Sequence, residues 1–510
     1  MNHWIIAPVI LPALLAPVLA AVMRHDIVLS RVFSLAGTIA LVVIALGLAS
    51  LASSGGTFVY ELGNWPGPFG IVLVLDRLSA LMLLITSVLA LIVLLYAIGS
   101  GWDKRGRHFH PLFQFQLMGV SGAFLTGDAF NLFVFFEVLL IASYGLMIFG
   151  GGGMRLRAGL QYVVMNLAGS TLFLIALGTL YAVTGTLNIA DLAVKVRELP
   201  LEDAALLRVA AMLLMIVFAV KAALFPVQFW LPATYTNAPA PVAALFAIMT
   251  KVGAYAILRF YTTVFGPDVD ATGSMPADWL MPAALITLVL GVVGVLGARR
   301  LVPLASFAVL ASMGTLMIAI SLFTPQATMA ALYYMVHSTF AAAALFLLAD
   351  LIISRRGDNA DWLKTALPIS QNGLLAALFF LVAIAVSGMP PLSGFLGKLL
   401  VLDAAQSSVD MALIWATILV TSLVMVVGFA RAGSVLFWKS STLKTEAASE
   451  SSPYIEPIPT PVLPIISAAA PIVVLILLTV FAGPATNYMQ ATATQLFDIS
   501  GYVNAVLGAN

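Results

Sequence analysis

The hydrophobic residues of this chain fall in long continuous runs. Polar residues do not recur within these runs at every third or fourth position, as they would on the polar face of an amphipathic helix. A helix that crosses a membrane needs about 20 mainly apolar residues. The runs that meet this requirement cover approximately residues 4–23, 29–52, 75–99, 111–127, 129–149, 158–184, 207–226, 240–265, 279–298, 301–323, 327–353, 371–404, 410–437 and 462–483. In lipid only helices and closed barrels satisfy their backbone hydrogen bonds, and barrel strands are only about 10 residues long. The pattern therefore predicts an all-α polytopic membrane protein with about 14 transmembrane helices.

Composition supports this prediction and excludes several kinds of function. Of the 510 residues, 62% are hydrophobic and 9% are charged, whereas soluble domains carry about 25% charged residues. The chain has no cysteine, which excludes disulfides, thiolate-bound zinc, cysteine-ligated iron–sulfur clusters and cysteine nucleophiles. Its 23 basic and 22 acidic residues nearly cancel, so no basic surface indicates nucleic-acid binding. The loops are short, and we expect the function to lie inside the membrane or with partners.

Lysine and arginine are distributed unevenly among the loops. Fourteen fall in odd-numbered loops, and only Lys195, Arg197 and Arg208 fall in even-numbered loops. Because cytoplasmic loops carry the excess of basic residues, this places the odd-numbered loops in the cytoplasm and both termini outside. The three exceptions lie within residues 188–208, where charged and apolar residues alternate at helical spacing. This segment predicts a helix lying along the membrane surface.

Five ionisable residues lie deep in the predicted spans or beside an interrupted helix: Glu137, Lys221, Lys251, His337 and Lys398. A charge at the bilayer centre costs about 2.5–3.5 kcal/mol on insertion scales, so such residues are functional by default. We contrast them with seven that lie near predicted helix ends, where snorkelling or helix capping is a sufficient explanation: Asp76, Arg77, Asp128, Arg259, Asp350, Asp403 and Arg431.

The five deep residues have the chemistry of a proton relay. A Glu–Lys contact at 4 Å is worth about 4 kcal/mol at an effective dielectric of about 20, which is enough to load and unload a proton. Histidine, whose unperturbed pKa is about 6.5, is a natural intermediate carrier. The alternative is structural: an ion pair between helices, or a histidine that only hydrogen-bonds a neighbouring helix.

Prolines lie close to two of these lysines. Pro226 follows Lys221 by five residues, and Pro390 and Pro391 precede Lys398. A proline interrupts a membrane helix, and two discontinuous helices are typical of transporters built from inverted repeats. We therefore predict two inverted five-helix repeats with a discontinuous helix in each. The predicted organisation is three N-terminal helices (1–110), a first repeat (111–265), a second repeat (277–438), and a connector with a C-terminal helix (439–510).

Several segments around these residues resemble the antiporter-like family shared by respiratory complex I, membrane-bound hydrogenases and Mrp-type cation/proton antiporters. The similar segments are LDRLSALMLL, GDAFNLFVFFEVLLIASY, KAALFPVQFWLPATYTNAPAPVAALFAIMTKVGAYAILRF, HSTFAAAALFLL and SGMPPLSGFLGK. Within the family the resemblance is greatest to the D-type subunits of Mrp antiporters. It implies that Glu137 pairs with Lys221, that Lys251 is the central lysine, that His337 is the next relay, and that Lys398 is the terminal lysine facing a neighbouring subunit.

The resemblance further implies a proton-translocating subunit of a multisubunit Na+/H+ antiporter in the bacterial plasma membrane. Such a subunit is a secondary transporter and not an enzyme. It carries H+ and Na+ and needs no cofactor or metal centre. The implied partners are subunits A, B, C, E, F and G and the membrane lipids, with no nucleic acid.

Two other functions remain open at this stage. One is the proton-pumping membrane subunit of a complex I-type NADH:quinone oxidoreductase or of a membrane-bound hydrogenase, which would use the same relay. Lys398, Gln228 and Tyr235 favour the antiporter, because complex I subunits of this kind carry glutamate or histidines there. The other is a scaffold subunit without a transport path. A further departure is that Ala341 and Ala342 follow His337, where many relatives have a lysine.

Overall fold

The computed structural model describes residues 3–440 and 461–508, and these are almost entirely helical. The predicted connector at the start of 439–510 falls largely on residues 441–460, which lie outside the described residues. The helices are α1 (Ala7–Ala21), α2 (Ile27–Ala52), α3 (Arg77–Ser100), α4 (Phe109–Leu125), α5 (Ala129–Met147), α6 (Gly153–Thr184), α7 (Ile189–Glu198), α8 (Ala204–Ala222), α9 (Trp230–Asn237), α10 (Ala240–Phe246), α11 (Met249–Thr263), α12 (Met275–Gly297), α13 (Leu301–Ser321), α14 (Pro325–Ile353), α15 (Asn372–Ser387), α16 (Ser393–Ala404), α17 (Met411–Gly433), α18 (Val462–Val480), α19 (Ala482–Phe497) and α20 (Ile499–Leu507).

Length and composition make this a multi-span membrane protein, and the prediction of an all-helical fold is confirmed. In the described residues, eleven helical stretches are long and apolar enough to cross a membrane. They are α2, α3, α5, α6, α8, α12, α13, α14 and α18, with the combined stretches Ala240–Thr263 and Met411–Trp438. The apolar helices α1 and α15 are shorter. The count of about 14 spans stays a prediction.

One short sheet precedes α3 and was not predicted. Strands β1 (Phe58–Glu61) and β2 (Val72–Leu75) pair antiparallel, with Phe58 opposite Leu75. Strand β2 is wholly buried, and an isolated bridge joins Leu73 to Thr126 in the turn between α4 and α5. A four-residue apolar strand looks the same in the sequence as the first turn of the following span, so the apolar run alone could not separate them.

The helix predicted between residues 188 and 208 is present as α7, and its position along the membrane surface stays a prediction. Asn188 caps it, because its side-chain oxygen accepts hydrogen bonds from the backbone N–H groups of Ala190 and Asp191 at 3.0 and 3.3 Å. Ile189, Leu192 and Val196 are buried, while the charged residues between them are not. This is the amphipathic arrangement that the spacing indicated.

Two of the predicted spans are discontinuous in the structure. Helix α8 ends at Ala222 and α9 begins at Trp230, with Pro226 in the connection. Helix α15 ends at Ser387 and α16 begins at Ser393, with Pro390 and Pro391 between them. Each interruption removes intrahelical partners from backbone groups, which must then find other ones.

A buried ion pair joins the start of α3 to α11. Arg259 on α11 donates through Nη1 to Asp76 Oδ2 at 2.6 Å, and each side chain is only 4% exposed. Asp76 also caps α3, accepting from the backbone N–H of Ser79 at 2.8 Å. The rings of Tyr255 and Tyr502 flank the guanidinium at 5.5 and 5.4 Å. Because Tyr502 belongs to α20, the pair holds three separate parts of the chain together.

Breaking this pair tests its contribution to stability. Asp76→Asn keeps a helix cap but leaves the Arg259 charge buried without a counter-ion, which typically costs 3–5 kcal/mol. The matched control is Asp268→Asn, since Asp268 bonds Arg197 at 2.9 Å but is 55% exposed, and exposed pairs contribute about 1 kcal/mol or less. We expect the thermal unfolding midpoint of the purified protein to fall by several degrees for Asp76→Asn alone. Equal midpoints for the two variants would contradict this role.

Candidate functional site

Glu137 and Lys221 lie on α5 and α8, and α6 presents a polar partner to each of them. The Lys221 ammonium donates to Asn166 Oδ1 at 2.8 Å, and the Ser170 hydroxyl donates to Glu137 Oε1. Asn166 and Ser170 are four residues apart on α6, so they share one face of that helix. Within residues 3–440 and 461–508, no direct ion pair joins Glu137 to Lys221.

The two charges are nevertheless close enough to act on each other. The Lys221 ammonium lies 5.6 Å from the centroid of the Phe136 ring, and Phe136 directly precedes Glu137. The charge of Glu137 acts on Lys221 across this gap. A cation over an aromatic face is stabilised by the ring quadrupole, more so where water is excluded. The ammonium therefore has the Asn166 amide and the Phe136 ring face as neighbours, and the charge of Glu137 acts on it from beyond ion-pair distance.

Asn166 and Ser170 are functional candidates that the sequence analysis did not identify. Both are buried in the 32-residue α6, and neither is ionisable, so a search for buried charges passes over them. Their spacing of four residues in NLAGS was the available signal. This spacing could be interpreted only once the helices that flank α6 were known.

The backbone around the first helix break is also satisfied by neighbours. The Trp230 indole N–H donates to the Val220 carbonyl at 2.9 Å, and the Phe225 N–H donates to the Thr287 hydroxyl on α12 at 2.8 Å. Lys221 is the penultimate residue of α8. It thus lies at the end of a helix that other elements hold in place.

Lys251 on α11 is the most isolated of the five residues. Its side chain is fully buried, and its ammonium nitrogen has no hydrogen-bond partner in the part of the chain that the structure describes. A buried charge without a partner is costly. This position therefore suits a lysine that gives up its proton or that bonds to internal water.

His337 and Lys398 meet at the second helix break. The Nδ1 atom of His337 on α14 is 3.0 Å from the Ser393 hydroxyl in the first turn of α16. The Lys398 ammonium donates to the carbonyl of Ser387, the last residue of α15, and to the Ser422 hydroxyl on α17, both at 2.9 Å. The break frees the Ser387 carbonyl from its helical partner, and the lysine takes that place.

Two glycines give these side chains their space. Gly388 ends α15 with φ +78°, and a Cβ there would lie 2.6 Å from Lys398 Cδ. A Cβ at Gly394 would collide with the Ala385 carbonyl oxygen and would lie 2.9 Å from His337 Cε1. Any larger residue at either position would displace the helix break or the relay side chains.

One small cavity lies beside His337 and a second lies beside Lys398, each with a volume of about 10 Å³. This is roughly the space that one water molecule needs. Ala341 and Ala342 line the cavity beside His337, so open space occupies the position that a long side chain would fill. Ser312 and Tyr334 line both cavities. These two residues, which the sequence analysis also missed, form the wall shared by the two cavities.

The five predicted residues therefore form three groups: Glu137 with Lys221, Lys251 alone, and His337 with Lys398. The charges of Lys251 and Lys398 both act on His337. Among the described residues, no group of three or more His, Cys, Asp or Glu side chains could hold a metal ion. Each of the five residues can bind a proton, and one water-sized cavity lies beside His337 and another beside Lys398.

Comparison with known proteins assigns this chain to a family. Residues 126–425 match the family described as "NADH:quinone oxidoreductase/Mrp antiporter, TM". The chain is 39% identical to the D subunit of a probable K(+)/H(+) antiporter of Rhizobium meliloti (strain 1021), over 100% of this chain and 98% of that protein. It is also 39% identical to the D subunit of a Na(+)/H(+) antiporter of Bacillus subtilis (strain 168), over 86% of this chain and 87% of the relative.

Solved structures show the same fold. A chain of the Mrp complex from Dietzia sp. DQ12-45-1b superposes with a TM-score of 0.88 at 28% identity, covering 100% of both chains. A chain of an archaeal membrane-bound sulfane sulfur reductase superposes with a TM-score of 0.89 at 24% identity, covering 99% of this chain and 100% of that one. At that identity the second likeness concerns the fold alone.

The glycine at the second break gives a direct test of this geometry. Gly388→Ala forces an alanine into a left-handed backbone conformation, costing about 1–2 kcal/mol, and pushes against Lys398. Gly373→Ala in the same helix is the control, because a Cβ there meets nothing within 4 Å. We expect the unfolding midpoint of the purified protein to fall for Gly388→Ala and to stay unchanged for Gly373→Ala. A Gly388→Ala protein as stable as the control would contradict the close packing described here.

Proposed function

The chain belongs to the NADH:quinone oxidoreductase/Mrp antiporter membrane family, and we propose that it is the D-type, proton-translocating subunit of a multisubunit Na+/H+ antiporter. The observation that carries the proposal is its identity of 36–39% to relatives named as antiporter D subunits. Two of these relatives align with essentially the whole chain. As a transporter subunit it would catalyse no chemical reaction and use no cofactor.

In the proposed mechanism, Glu137 and Lys221 form the first switch. The Asn166 amide and the Ser170 hydroxyl hold the lysine and the carboxylate apart by one polar layer. If the two groups close to about 4 Å, their attraction is worth about 4 kcal/mol at an effective dielectric of about 20. That corresponds to roughly a thousandfold change in proton occupancy, at about 1.4 kcal/mol for each factor of ten.

The proton would then pass through the middle of the chain to the second break. Lys251 has no competing hydrogen-bond partner among the described residues, so its side-chain nitrogen is available to a water molecule that carries the proton. His337 would receive the proton next, and Lys398 would release it toward a neighbouring subunit. The Ser312–Tyr334 wall and its two water-sized cavities support transfer between His337 and Lys398 through hydrogen bonds.

We propose the finer architecture on the same basis: 14 spans, inverted repeats at 111–265 and 277–438, three leading helices in 1–110, and a C-terminal part in 439–510. Its support is the placement of Lys221 just before the break at Pro226 and of Lys398 just after Pro390 and Pro391. The distribution of loop bases supports external termini in a bacterial plasma membrane.

The proposed assembly contains subunits A, B, C, E, F and G, with a neighbour on the Lys398 side and lipid around the exposed helices. Relatives of equal identity are named K(+)/H(+) and Na(+)/H(+) antiporter subunits, so either cation fits this chain. We assign the proton path to this subunit.

A proton-pumping subunit of a redox complex is the second candidate, since a chain of Thermus thermophilus respiratory complex I shares this fold with a TM-score of 0.78 at 23% identity. The two functions differ in what drives the relay. An antiporter collapses a pH gradient when Na+ or K+ is added, whereas a redox pump requires an electron donor and a quinone. Measuring both responses in the same membrane vesicles distinguishes them.

The central prediction concerns the Glu137–Lys221 switch. Glu137→Gln keeps the hydrogen bond from Ser170 but cannot bind a proton, and Lys221→Ala removes the ammonium. We expect either change to abolish cation-dependent collapse of the pH gradient in everted vesicles that contain the complete antiporter, while assembly on native gels is unchanged. Glu202→Gln and Lys364→Ala, at exposed positions, should retain exchange. Full activity in both switch variants would refute the proposal.

A second prediction concerns the partners on α6. Asn166→Ala and Ser170→Ala remove the groups that position the lysine and the carboxylate without removing any charge. We expect each to slow exchange by about tenfold, which is less than the roughly 10²–10⁴-fold that a positioned proton-transfer group contributes and less than the loss in Glu137→Gln. Thr171→Ala, at an exposed position on the same helix, is the control. Wild-type rates in both α6 variants would show that α6 only packs against the switch.

A further inference from the structure

A large open cavity, called the vestibule here, lies on the side of the protein that carries most of the lysine and arginine residues of the loops. It has a volume of about 630 Å³, and Arg105, Arg155 and Arg300 lie on its walls. These residues fall in odd-numbered loops or at their edges, the side that the distribution of basic residues assigns to the cytoplasm. The vestibule reaches inward to Tyr235 and Phe346, which belong to the buried interior.

Two acidic residues lie on the vestibule wall, and only one of them has a basic partner among the described residues. Asp361 is bonded to Arg300 at 2.8 Å. Asp350, on α14, makes no ion pair in the described part of the chain. Its Oδ2 atom accepts hydrogen bonds from the Tyr96 hydroxyl at 2.7 Å and from the Trp102 indole at 2.9 Å. Its Oδ1 atom accepts none from the described residues.

The charged side chains that act on Asp350 are basic, but none of them forms an ion pair with it in the described part of the chain. The charges of Arg105 and Arg355 act on the carboxylate, but neither comes within ion-pair distance. The Arg105 guanidinium stacks instead on the Trp102 ring at 3.5 Å. Asp350 is thus a carboxylate on the vestibule wall whose Oδ1 atom has no donor among the described residues. The mechanism above makes no use of it.

Helix α14 links this carboxylate to the relay. Asp350 and His337 are thirteen residues apart on the same helix, about 20 Å along its axis at 1.5 Å per residue. Phe346 lines the vestibule, and its neighbour Leu345 lines the cavity beside His337. The Phe346 and Tyr235 rings contact each other at 5.8 Å between centroids. One apolar layer therefore separates the vestibule from the His337 cavity.

We propose that this vestibule is a proton entry from the basic side, with Asp350 as its first acceptor and His337 as its second. This inference rests on the proposed function and adds an entry that joins the relay at His337, the residue that also receives protons from Lys251. The Asp350 carboxylate takes a proton from vestibule water and passes it to water that crosses the Phe346–Tyr235 layer. That water protonates the free imidazole nitrogen, Nε2, of His337. No electron transfer is involved, and the proton leaves through Lys398.

A purely structural explanation is that Asp350 anchors α3 and Trp102 to α14. The two roles make different demands on the side chain. An asparagine still offers an oxygen to Tyr96 and Trp102 but cannot bind a proton at ordinary pH. A glutamate can bind a proton but is one methylene longer, so it fits the two donors less well. The pair of substitutions separates proton uptake from anchoring.

The first experiment measures cation-dependent collapse of the pH gradient in everted vesicles that contain the complete antiporter. We expect Asp350→Asn to slow exchange by about tenfold or more with unchanged assembly, and Asp350→Glu to recover most of the rate. Asp358→Asn, at an exposed position on the same side, should match the wild type. Wild-type exchange in Asp350→Asn would overturn the inference, as would loss of assembly in both Asp350 variants. Wild-type exchange in these vesicles tests the proposed function separately.

The second experiment uses the absence of cysteine from this chain. Ser354→Cys places a thiol on the vestibule wall, and Ser54→Cys places one in an even-numbered loop at an exposed position. A membrane-impermeant thiol reagent added to everted vesicles should modify the first and not the second. Modification of Ser354→Cys should slow exchange by about fivefold or more, relative to the unlabelled variant and to the cysteine-free chain treated alike. Complete modification with an unchanged rate would overturn the inference.

Discussion

A charged side chain survives in the bilayer interior only where the protein itself supplies what water would have supplied. In this chain that requirement explains the least regular parts of the fold. The Lys398 ammonium donates a hydrogen bond to the Ser387 carbonyl, which lacks a helical partner because α15 ends at that residue. Lys221 lies at the end of α8, and its ammonium turns to an amide on α6. The helix breaks and the buried charges therefore depend on each other.

The same requirement divides the ionisable residues into two kinds. Asp76 and Arg259 satisfy each other completely, with a short ion pair, a helix cap and two flanking aromatic rings. Such a pair has no reason to release a proton, and it fastens helices that are distant in the sequence. Lys221, Lys251 and Lys398 instead bond to neutral partners or, for Lys251, to none of the described residues. None of the three has an ion pair among the described residues, so the cost of burying the charged form is not offset by a fixed counter-ion.

Much of this could be inferred from the sequence, and the rest could not for a definite reason. Apolar runs indicated the spans, the Asn188 cap indicated α7, and charges in apolar surroundings indicated the five relay candidates. What the sequence lacks is the distance between helices. Asn166 and Ser170 became functional candidates only when α6 was seen to lie between α5 and α8. Asp350 was assigned to the helix end, because the vestibule beside it is formed by loops distant in sequence. The β1–β2 hairpin was missed because its buried strand is as apolar as the span it precedes.

The two cavities beside Ser312 and Tyr334 impose a size limit on what can travel between His337 and Lys398. Each has room for about one water, whereas a hydrated sodium or potassium ion brings several waters, each filling about 30 Å³ in the liquid. A proton needs no such room, because it advances by exchange of covalent and hydrogen bonds while the oxygen atoms stay in place. In the proposed mechanism, this half of the chain can therefore pass a proton along hydrogen bonds, whereas its cavities are too small for a hydrated cation.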